Sequence, residues 1–479
     1  MVEASARLVK VARAALVLAG AAADGVTQGD GLGPYARLAA RLVAGCGRGT
    51  PGVIMTNPPF AGVGEGRIAD PEVLRGFTCA ARPAERDGTA RPTAEGVPPE
   101  LLFFERCLDW LRPGGRLGIV LPKSFLDTRT YLPARALLFA RARLLGVVSL
   151  HKHTFQPHTG VRTCLVFVEK LAPRAAPPRA YPIFMALSRR VGQDSEGAPI
   201  YVRDAANRPT AELDHDLGEI LAAWGEHRQG RLTASEHRFT VDRADLDADL
   251  RINPQLFLPS LNRTLREVAA LDGVRGWSVV NLGAVAPEVA IFKGPRLQSE
   301  RLLVERGGAP AAASGVEPYY TPSALLQENA DGLKWLDLAR ATPAQRRTIA
   351  AIRVRRGDIL VTRSGSIGRV VAVTARDDGA IVSDDMIRVR IADERTRLWV
   401  LRFLESPYGQ DQMRRNEYGA IQQHLEPAHL RALLIPIPDD WGRLAAVLAA
   451  TRAAVAAREA LQAARAESHA ALREALGID

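Results

Sequence analysis

An Asn-Pro-Pro-Phe corner at positions 57–60 carries residue types suited to holding an amino group. It follows the apolar run Val53–Thr56, which favours a β-strand, and parallel sheets place their chemistry where strands end. Pro58 and Pro59 fix φ and carry no N–H, so the carbonyl groups of the corner stay available as acceptors. The Asn57 side-chain oxygen and the Pro58 carbonyl could accept the hydrogens of an amino group while Phe60 stacks on a base. Taken alone, the four residues would fit an ordinary turn with Phe60 in the core.

The surroundings of this corner carry a family resemblance. After an apolar strand, the corner resembles the catalytic motif of amino-group DNA methyltransferases, in the N6-adenine branch that begins with Asn. Leu-Arg-Pro-Gly-Gly-Arg at 111–116 and Phe-Gln-Pro-His-Thr-Gly-Val-Arg-Thr at 155–163 resemble late motifs of type I and type IIG adenine methyltransferases. This resemblance, over about residues 3–170, implies transfer of a methyl group from S-adenosylmethionine to N6 of adenine. The four residues of the corner would be catalytic.

The same resemblance implies a cofactor site formed by two carboxylates. In type I modification subunits, an acidic residue that ends the second strand holds the ribose hydroxyls of S-adenosylmethionine, and a Gly-Asp-x-Leu segment places Asp beside the adenine amino group. Carried over, these roles fall on Glu3 and Asp30. The alternatives are a solvated terminal acid and a turn-forming residue. The family's glycine-rich motif should precede Glu3, so we expect the first strand to be missing: the start is misassigned, another polypeptide supplies the strand, or the chain is a remnant.

The order of predicted elements indicates an α/β fold. Helices predicted at 99–110 and 131–140 alternate with strands at 116–122, 145–150 and 164–168. Such alternation is typical of a parallel, Rossmann-like sheet, here with its first strand missing. The Gly- and Pro-rich stretch from Ala61 to Pro99 predicts a long loop over the corner.

A second group of candidate residues lies in the last third of the chain. The segment 356–370 predicts two strands joined by a glycine turn, in which Arg363, Ser364, Ser366 and Arg369 could contact DNA phosphates. Taken alone, it would be an ordinary hairpin. The segment is similar to the Gly-Asp-Ile-Leu-x-Thr-Arg-x-Gly-x-x-Gly motif of type I specificity subunits, which implies an α+β target-recognition domain.

A single apolar stripe closes the chain from position 441 onward. It predicts a long carboxyl-terminal helix that resembles the spacer helices of specificity subunits. A solvated helix of this length would be hard to sustain alone, so we expect it to pack against another helix.

Composition limits the kinds of partner, cellular location and metal site that the chain can have. The formal net charge of +10 over 479 residues favours a polyanionic partner. No apolar run reaches membrane-spanning length and no secretory signal is apparent, so we expect a cytoplasmic protein without membrane contact. Cys46, Cys79, Cys107 and Cys164 are widely spaced without ligand pairing, and therefore we predict neither a metal site nor disulfides.

The sequence therefore predicts a partial adenine methyltransferase domain at 1–170, a connecting region at 171–250, a target-recognition domain at 251–440 and a spacer helix at 441–479. The expected function is sequence-specific DNA methylation in a restriction-modification system. Its partners would be double-stranded DNA and a restriction or upstream methyltransferase polypeptide. Three alternatives stay open: an N4-cytosine methyltransferase, a protein glutamine methyltransferase, and a DNA-binding specificity module without catalysis.

Overall fold

The computed structural model describes residues 2–34, 38, 42, 47–60, 66–80, 96–286, 288–304, 315–327, 334–364, 366–415 and 425–477. The chain divides into two compact units after Pro259. No helix within the described ranges is both long and apolar enough to cross a lipid bilayer.

The first unit is of the α/β type. Its strands are β1 (Val2–Glu3), β2 (Thr27–Gln28), β3 (Val53–Thr56), β4 (Arg116–Pro122), β5 (Ala142–Ser149), β6 (Thr163–Lys170), β7 (Pro182–Leu187), β8 (Tyr201–Arg203), β9 (Pro209–Leu213) and β10 (Arg238–Asp242). Its helices are α1 (Ala6–Leu18), α2 (Pro71–Leu74), α3 (Pro99–Trp110), α4 (Leu132–Arg141) and α5 (Leu217–Arg228).

Six of these strands form one sheet in the order β10-β7-β5-β6-β4-β3. Strands β3, β4, β5 and β7 run parallel, whereas β6 is antiparallel to both of its neighbours and β10 to β7. The sheet is therefore mixed rather than wholly parallel. The reason is local: β6 follows β5 through a loop without a crossover helix, and only an antiparallel neighbour can be joined that way.

The helix α3 forms over the residues that the sequence predicted, because its ends and its face are all encoded locally. Pro99 sits in the first turn, where a missing N–H costs nothing, and Pro113 follows the last turn. Leu101, Phe104 and Leu108 recur on one face and are buried against the sheet.

The region 171–250 contributes two strands to the six-stranded sheet. Its run Pro182–Leu187 is the buried strand β7, which β10 borders on the other side. The first unit also extends past 250, because Ile252 and Asn253 are buried completely or nearly so. Both residues belong to the first compact unit, which includes residues up to Pro259.

Parts of the remaining predictions fall outside the described residues. These parts include positions 61–65 and 81–95 of the expected loop. Within 66–80 the chain forms α2 and a 3₁₀ turn, Thr78–Ala80. The strands β1 and β2 form a two-stranded parallel sheet of their own, and among the described residues β3 pairs with β4 alone.

The second unit combines short sheets with helices. Its strands are β11 (Trp277–Asn281), β12 (Ala290–Lys293), β13 (Val316–Tyr320), β14 (Lys334–Asp337), β15 (Ile359–Thr362), β16 (Val370–Ala372), β17 (Ile381–Val382), β18 (Met386–Arg390) and β19 (Leu434–Pro438). Its helices are α6 (Pro259–Ala269), α7 (Pro322–Gln327), α8 (Pro343–Ile352), α9 (Glu394–Glu405), α10 (Pro407–Arg415), α11 (Pro427–Arg431) and α12 (Ala445–Leu476).

The predicted hairpin and closing helix are both present in this unit. Strands β15 and β16 pair antiparallel, and β15 also pairs with β18. The first half of α12 packs on α9, where Leu448 and Leu444, the residue before the helix, join Leu398 in a small apolar cluster. Among the residues described in its second half, Leu461, Leu472 and Leu476 are exposed.

Candidate active site at the carboxyl end of the sheet

The topology of the first sheet gathers four loops at one end. Because β3, β4, β5 and β7 are parallel, the residues that follow them lie together there. We call this the carboxyl end of the sheet. It comprises residues 57–60, 123–128, 150–162 and 188–200.

The Asn-Pro-Pro-Phe corner occupies this end directly after β3. Asn57 and Pro59 are exposed, Pro58 is buried and Phe60 is half-buried. Among the described residues, no hydrogen bond to the Asn57 side chain is found, so its amide faces solvent and can accept a ligand's hydrogens.

A buried polar network, which the sequence did not reveal, follows β4. The Lys123 ammonium group, 3% exposed, donates to the Gln255 side-chain oxygen. Asn253 donates from Nδ2 to Asp127 Oδ2 at 2.8 Å, while Asp127 Oδ1 is buried without a partner in the described chain. Burial raises the pKa of Asp127. The loop after β4 is thus fixed by residues more than a hundred positions away.

Arg135 completes that network from helix α4. Its buried guanidinium donates to the carbonyl oxygens of Phe125 at 2.8 Å, Thr128 at 2.9 Å and Asp249 at 3.1 Å. Burial lowers the pKa of Arg135 to about 10. The side chain therefore acts as an internal brace for the loop and not as a group that meets a substrate.

The candidate cofactor residues lie at the ends of the two strands of the small parallel sheet, Glu3 in β1 and Asp30 two residues after β2. Glu3 ends β1 opposite Gln28, and the Gly29 N–H donates to the Glu3 carbonyl oxygen at 3.0 Å, with Asp30 next along the chain. The half-buried Glu3 carboxylate accepts from the Ser5 N–H at 2.8 Å, and Asp30 from the Leu32 N–H at 2.9 Å. Each carboxylate is held by one backbone group and keeps further lone pairs for a ligand.

Arg106 on α3 holds the turn that contains Asp30. Its guanidinium donates to the Leu32 carbonyl at 3.0 Å and the Gly33 carbonyl at 3.1 Å. Because α3 also packs on β4, it ties the Asp30 turn to the six-stranded sheet. Sequence reasoning missed Arg106, since a single Arg within an amphipathic helix gives no distinguishing signal.

In the second unit, two of the four predicted DNA-contacting residues already have protein partners. Arg363 donates to Glu426 Oε1 from Nη2 at 2.6 Å and from Nε at 3.2 Å. Ser364 Oγ donates to Asp385 Oδ1 at 2.6 Å. Ser366 and Arg369, by contrast, are exposed. These latter two are the hairpin residues most open to a phosphate group.

No group of three or more His, Cys, Asp or Glu residues arranged for a metal ion occurs in the described part of the chain. The thiols of Cys79, Cys107 and Cys164 are free and buried. Burial raises the pKa of Cys107 to about 12, so this thiol is a poor nucleophile at neutral pH. Cys46 lies outside the described residues.

Comparison with known proteins gives similar solved structures only, since no family model and no curated protein matches the chain. The type IIG restriction endonuclease BpuSI is 12% identical, over 89% of this chain and 51% of that one, with a TM-score of 0.35. A type I restriction-modification methyltransferase subunit from Streptococcus thermophilus is 15% identical over 53% and 47%, with a TM-score of 0.36. The HsdS subunit from Thermoanaerobacter tengcongensis is 19% identical over 42% and 45%, with a TM-score of 0.27.

The chain thus spans about half the length of these solved structures. At such identities and TM-scores the likeness does not assign the chain to a family.

Proposed function

We propose that this chain is the catalytic and DNA-recognising part of a sequence-specific DNA methyltransferase in a restriction-modification system. In this proposal it transfers the methyl group of S-adenosylmethionine to N6 of adenine. The observation that carries the proposal is the Asn57 corner, an exposed amide followed by the buried Pro58 at the carboxyl end of β3. That arrangement supplies two acceptors to a single amino group.

The corner acts by positioning. The Asn57 side-chain oxygen and the Pro58 carbonyl accept the two amino hydrogens, which directs the nitrogen lone pair away from the protein and toward the methyl donor. Phe60 stacks on the base. Because the amino group is inaccessible inside duplex DNA, the target base has to leave the stack before it can reach the corner.

Glu3 and Asp30 are the residues that would hold S-adenosylmethionine. A carboxylate at the end of a parallel strand can accept hydrogen bonds from ribose hydroxyls, and the position of Glu3 fits this role. The cofactor, when bound, supplies an electrophilic methyl group on a sulfonium. The amino nitrogen held by the corner would accept that methyl group as the carbon–sulfur bond broke toward sulfur, and one amino proton would leave to solvent. No strongly basic residue is needed, since alignment supplies most of the rate.

The second unit would supply DNA recognition. Ser366 and Arg369 are exposed on the hairpin of β15 and β16, and the net charge of +10 favours association with a polyanion. Arg363 and Ser364 would support this surface from within, through Glu426 and Asp385.

The decisive experiment follows radiolabelled methyl groups from S-adenosylmethionine into unmethylated bacterial DNA. We expect label in N6-methyladenine after nucleoside analysis of the product. Asn57→Ala should lower the rate by at least about a hundredfold, the typical effect of removing a group that stabilises the transition state, while DNA binding stays nearly unchanged. Asn57→Asp is the matched control, because it keeps an acceptor at the same place and should retain more activity than the alanine variant.

The same assay separates the alternatives. Label in N4-methylcytosine would move the assignment to the cytosine branch, and label in added protein would indicate a glutamine methyltransferase. DNA binding without any label in DNA would favour a recognition module that does not catalyse. Equal activity of wild type and Asn57→Ala would exclude the corner as the catalytic site.

A further inference from the structure

We propose that Gln193 and Gly197 position the loop 150–162 at the carboxyl end of the sheet, and so serve the transfer reaction without touching the substrate. The inference rests on the proposed function for its catalytic part. It gives a role to the segment 188–216, which belongs to the region predicted as a connection.

The loop 150–162 lies where it can reach the Asn57 corner. It joins β5 to β6 at the carboxyl end, and only β4 stands between β6 and β3. Thr56 at the end of β3 is level with Val166, so the start of β6 lies three residues beyond the end of β3, on the side of the corner. Neighbouring strands are about 4.8 Å apart, and the sideways distance between β3 and β6 is therefore roughly 10 Å. The half-buried Phe155 belongs to this loop. A shift of the loop would therefore change the walls of the space in front of the corner.

The side-chain amide of Gln193 anchors the loop directly. Its Nε2 donates to the His153 carbonyl at 2.6 Å and the Gln156 carbonyl at 3.0 Å, with the Thr154 carbonyl at 3.4 Å. An amide nitrogen has two N–H groups, which the two shorter contacts use fully. One side chain thus joins both flanks of Phe155 to a neighbouring segment.

Gly197 packs against the next part of the loop. A Cβ atom built at position 197 would lie 2.6 Å from the Pro157 Cδ atom and 3.3 Å from the Gln156 carbonyl oxygen. The φ angle of Gly197 is +85°, a conformation that residues with a side chain rarely adopt. Close approach and backbone conformation both require glycine here.

The segment that carries these two residues is itself fixed to the sheet. The buried Asp216 accepts from Ser188 Oγ at 2.7 Å and from the Arg189 N–H at 2.6 Å, directly after β7. Gln193 then forms an isolated antiparallel β-bridge with Pro199. Contacts therefore run without interruption from the end of β7 to the loop between β5 and β6.

The test uses side chains that differ in their donors. Gln193→Met has nearly the same length and no N–H, whereas Gln193→Lys keeps donors for the two carbonyls. Gly197→Ala probes the close approach independently. Arg208→Ala, an exposed change on the turn between β8 and β9, is the control. Each full-length variant is examined by hydrogen–deuterium exchange of the peptide over 151–160 and by methylation kinetics on DNA.

We expect exchange in that peptide to speed up about tenfold in Gln193→Met and Gly197→Ala. Gln193→Met loses donors that contribute about one net hydrogen bond, and Gly197→Ala places a Cβ atom against Pro157. The kcat value should fall by a similar factor while KM for S-adenosylmethionine stays unchanged. Gln193→Lys and Arg208→Ala should behave like wild type in both measurements.

Unchanged exchange in Gln193→Met and Gly197→Ala would overturn the anchoring. Faster exchange with unchanged kcat would overturn the catalytic part, since the loop would then be held for another reason. If wild type transfers no methyl group to DNA, the proposed function fails, and exchange still decides whether the anchoring is correct.

Discussion

Arg390 and Asp358 form a bidentate ion pair in the second unit, with both nitrogen–oxygen distances at 2.6 Å. Asp358 precedes β15, is 2% exposed, and accepts a further hydrogen bond from the Arg355 N–H at 2.9 Å. It is also the Asp of the Gly-Asp-Ile-Leu segment that carried the resemblance to specificity subunits. Within this chain that residue holds strands β15 and β18 together.

Removing the Arg390 guanidinium should therefore destabilise the second unit. We expect Arg390→Ala to lower the free energy of unfolding by about 3 kcal/mol, because it leaves the Asp358 carboxylate buried without its counter-charge. The free energy of unfolding of Arg390→Lys should lie between those of Arg390→Ala and wild type, since an ammonium group cannot form both parallel hydrogen bonds. Urea titration followed by tryptophan fluorescence measures the change.

An exposed ion pair of the same unit is the control for that prediction. Arg452 and Glu394 are 3.0 Å apart, but their side chains are 55% and 52% exposed. Such pairs contribute little to stability, so Arg452→Ala should leave the unfolding midpoint unchanged. Similar losses in the two variants would contradict the importance given to burial of Asp358.

The Asp127 carboxyl group should impose a pH dependence on the first unit. Burial raises its pKa, and the opposing effects of Asn253 and Lys123 are smaller. The folded protein therefore binds this proton more tightly than the unfolded chain, and the contribution of Asp127 to stability is lost as pH rises above about 4. Asp127→Asn still offers Asn253 an acceptor but has no charge to bury.

The free energy of unfolding of Asp127→Asn, relative to wild type, should accordingly increase between about pH 4 and neutral pH. Urea titrations at several pH values give this difference directly. A difference that is constant or that decreases with pH would show that the carboxylate is better compensated than its surroundings indicate.

Arg369 and Arg363 should affect DNA binding in different ways. Arg369 is exposed, so Arg369→Ala should weaken DNA binding and reduce the slope of log affinity against log salt by about 1, with stability unchanged. Arg363→Ala removes the partner of Glu426 and should also lower the unfolding midpoint. Fluorescence anisotropy at several salt concentrations and thermal unfolding separate the two effects.

An exposed arginine elsewhere in the second unit provides the comparison. Arg347→Ala, on α8, changes the net charge by the same amount. If its salt slope falls as much as that of Arg369→Ala, binding depends on total charge and not on the hairpin.

A substitution at Glu3 should affect the binding of S-adenosylmethionine alone. Glu3→Gln keeps an oxygen for the Ser5 N–H but loses the charge that strengthens hydrogen bonds from ribose hydroxyls. We expect the Kd for S-adenosylmethionine to rise about tenfold by calorimetry, the effect of one charge-assisted hydrogen bond, with DNA binding unchanged. Glu212→Gln, an exposed acid on β9, should leave the Kd unchanged.

The sequence by itself determined the features that depend on neighbouring residues. Proline positions and an apolar stripe set the helix Pro99–Trp110, and an apolar run set the strand Arg116–Pro122. The hairpin around the Gly turn at 356–370 was also predictable, because turn residues and strand residues act over a few positions. The apolar run Val53–Thr56 likewise forms the strand that ends at the Asn57 corner, as the sequence predicted.

Only the tertiary structure determined which polar groups form hydrogen bonds with each other. Arg363 faces Glu426, Asn253 faces Asp127, and Gln193 faces the loop around Phe155, over sequence separations that no local pattern reports. It also decided that 182–187 is a strand within the sheet and that β6 runs antiparallel. A hydrogen bond depends on the direction and distance of two groups in space, and the chain sets these only when the whole core packs.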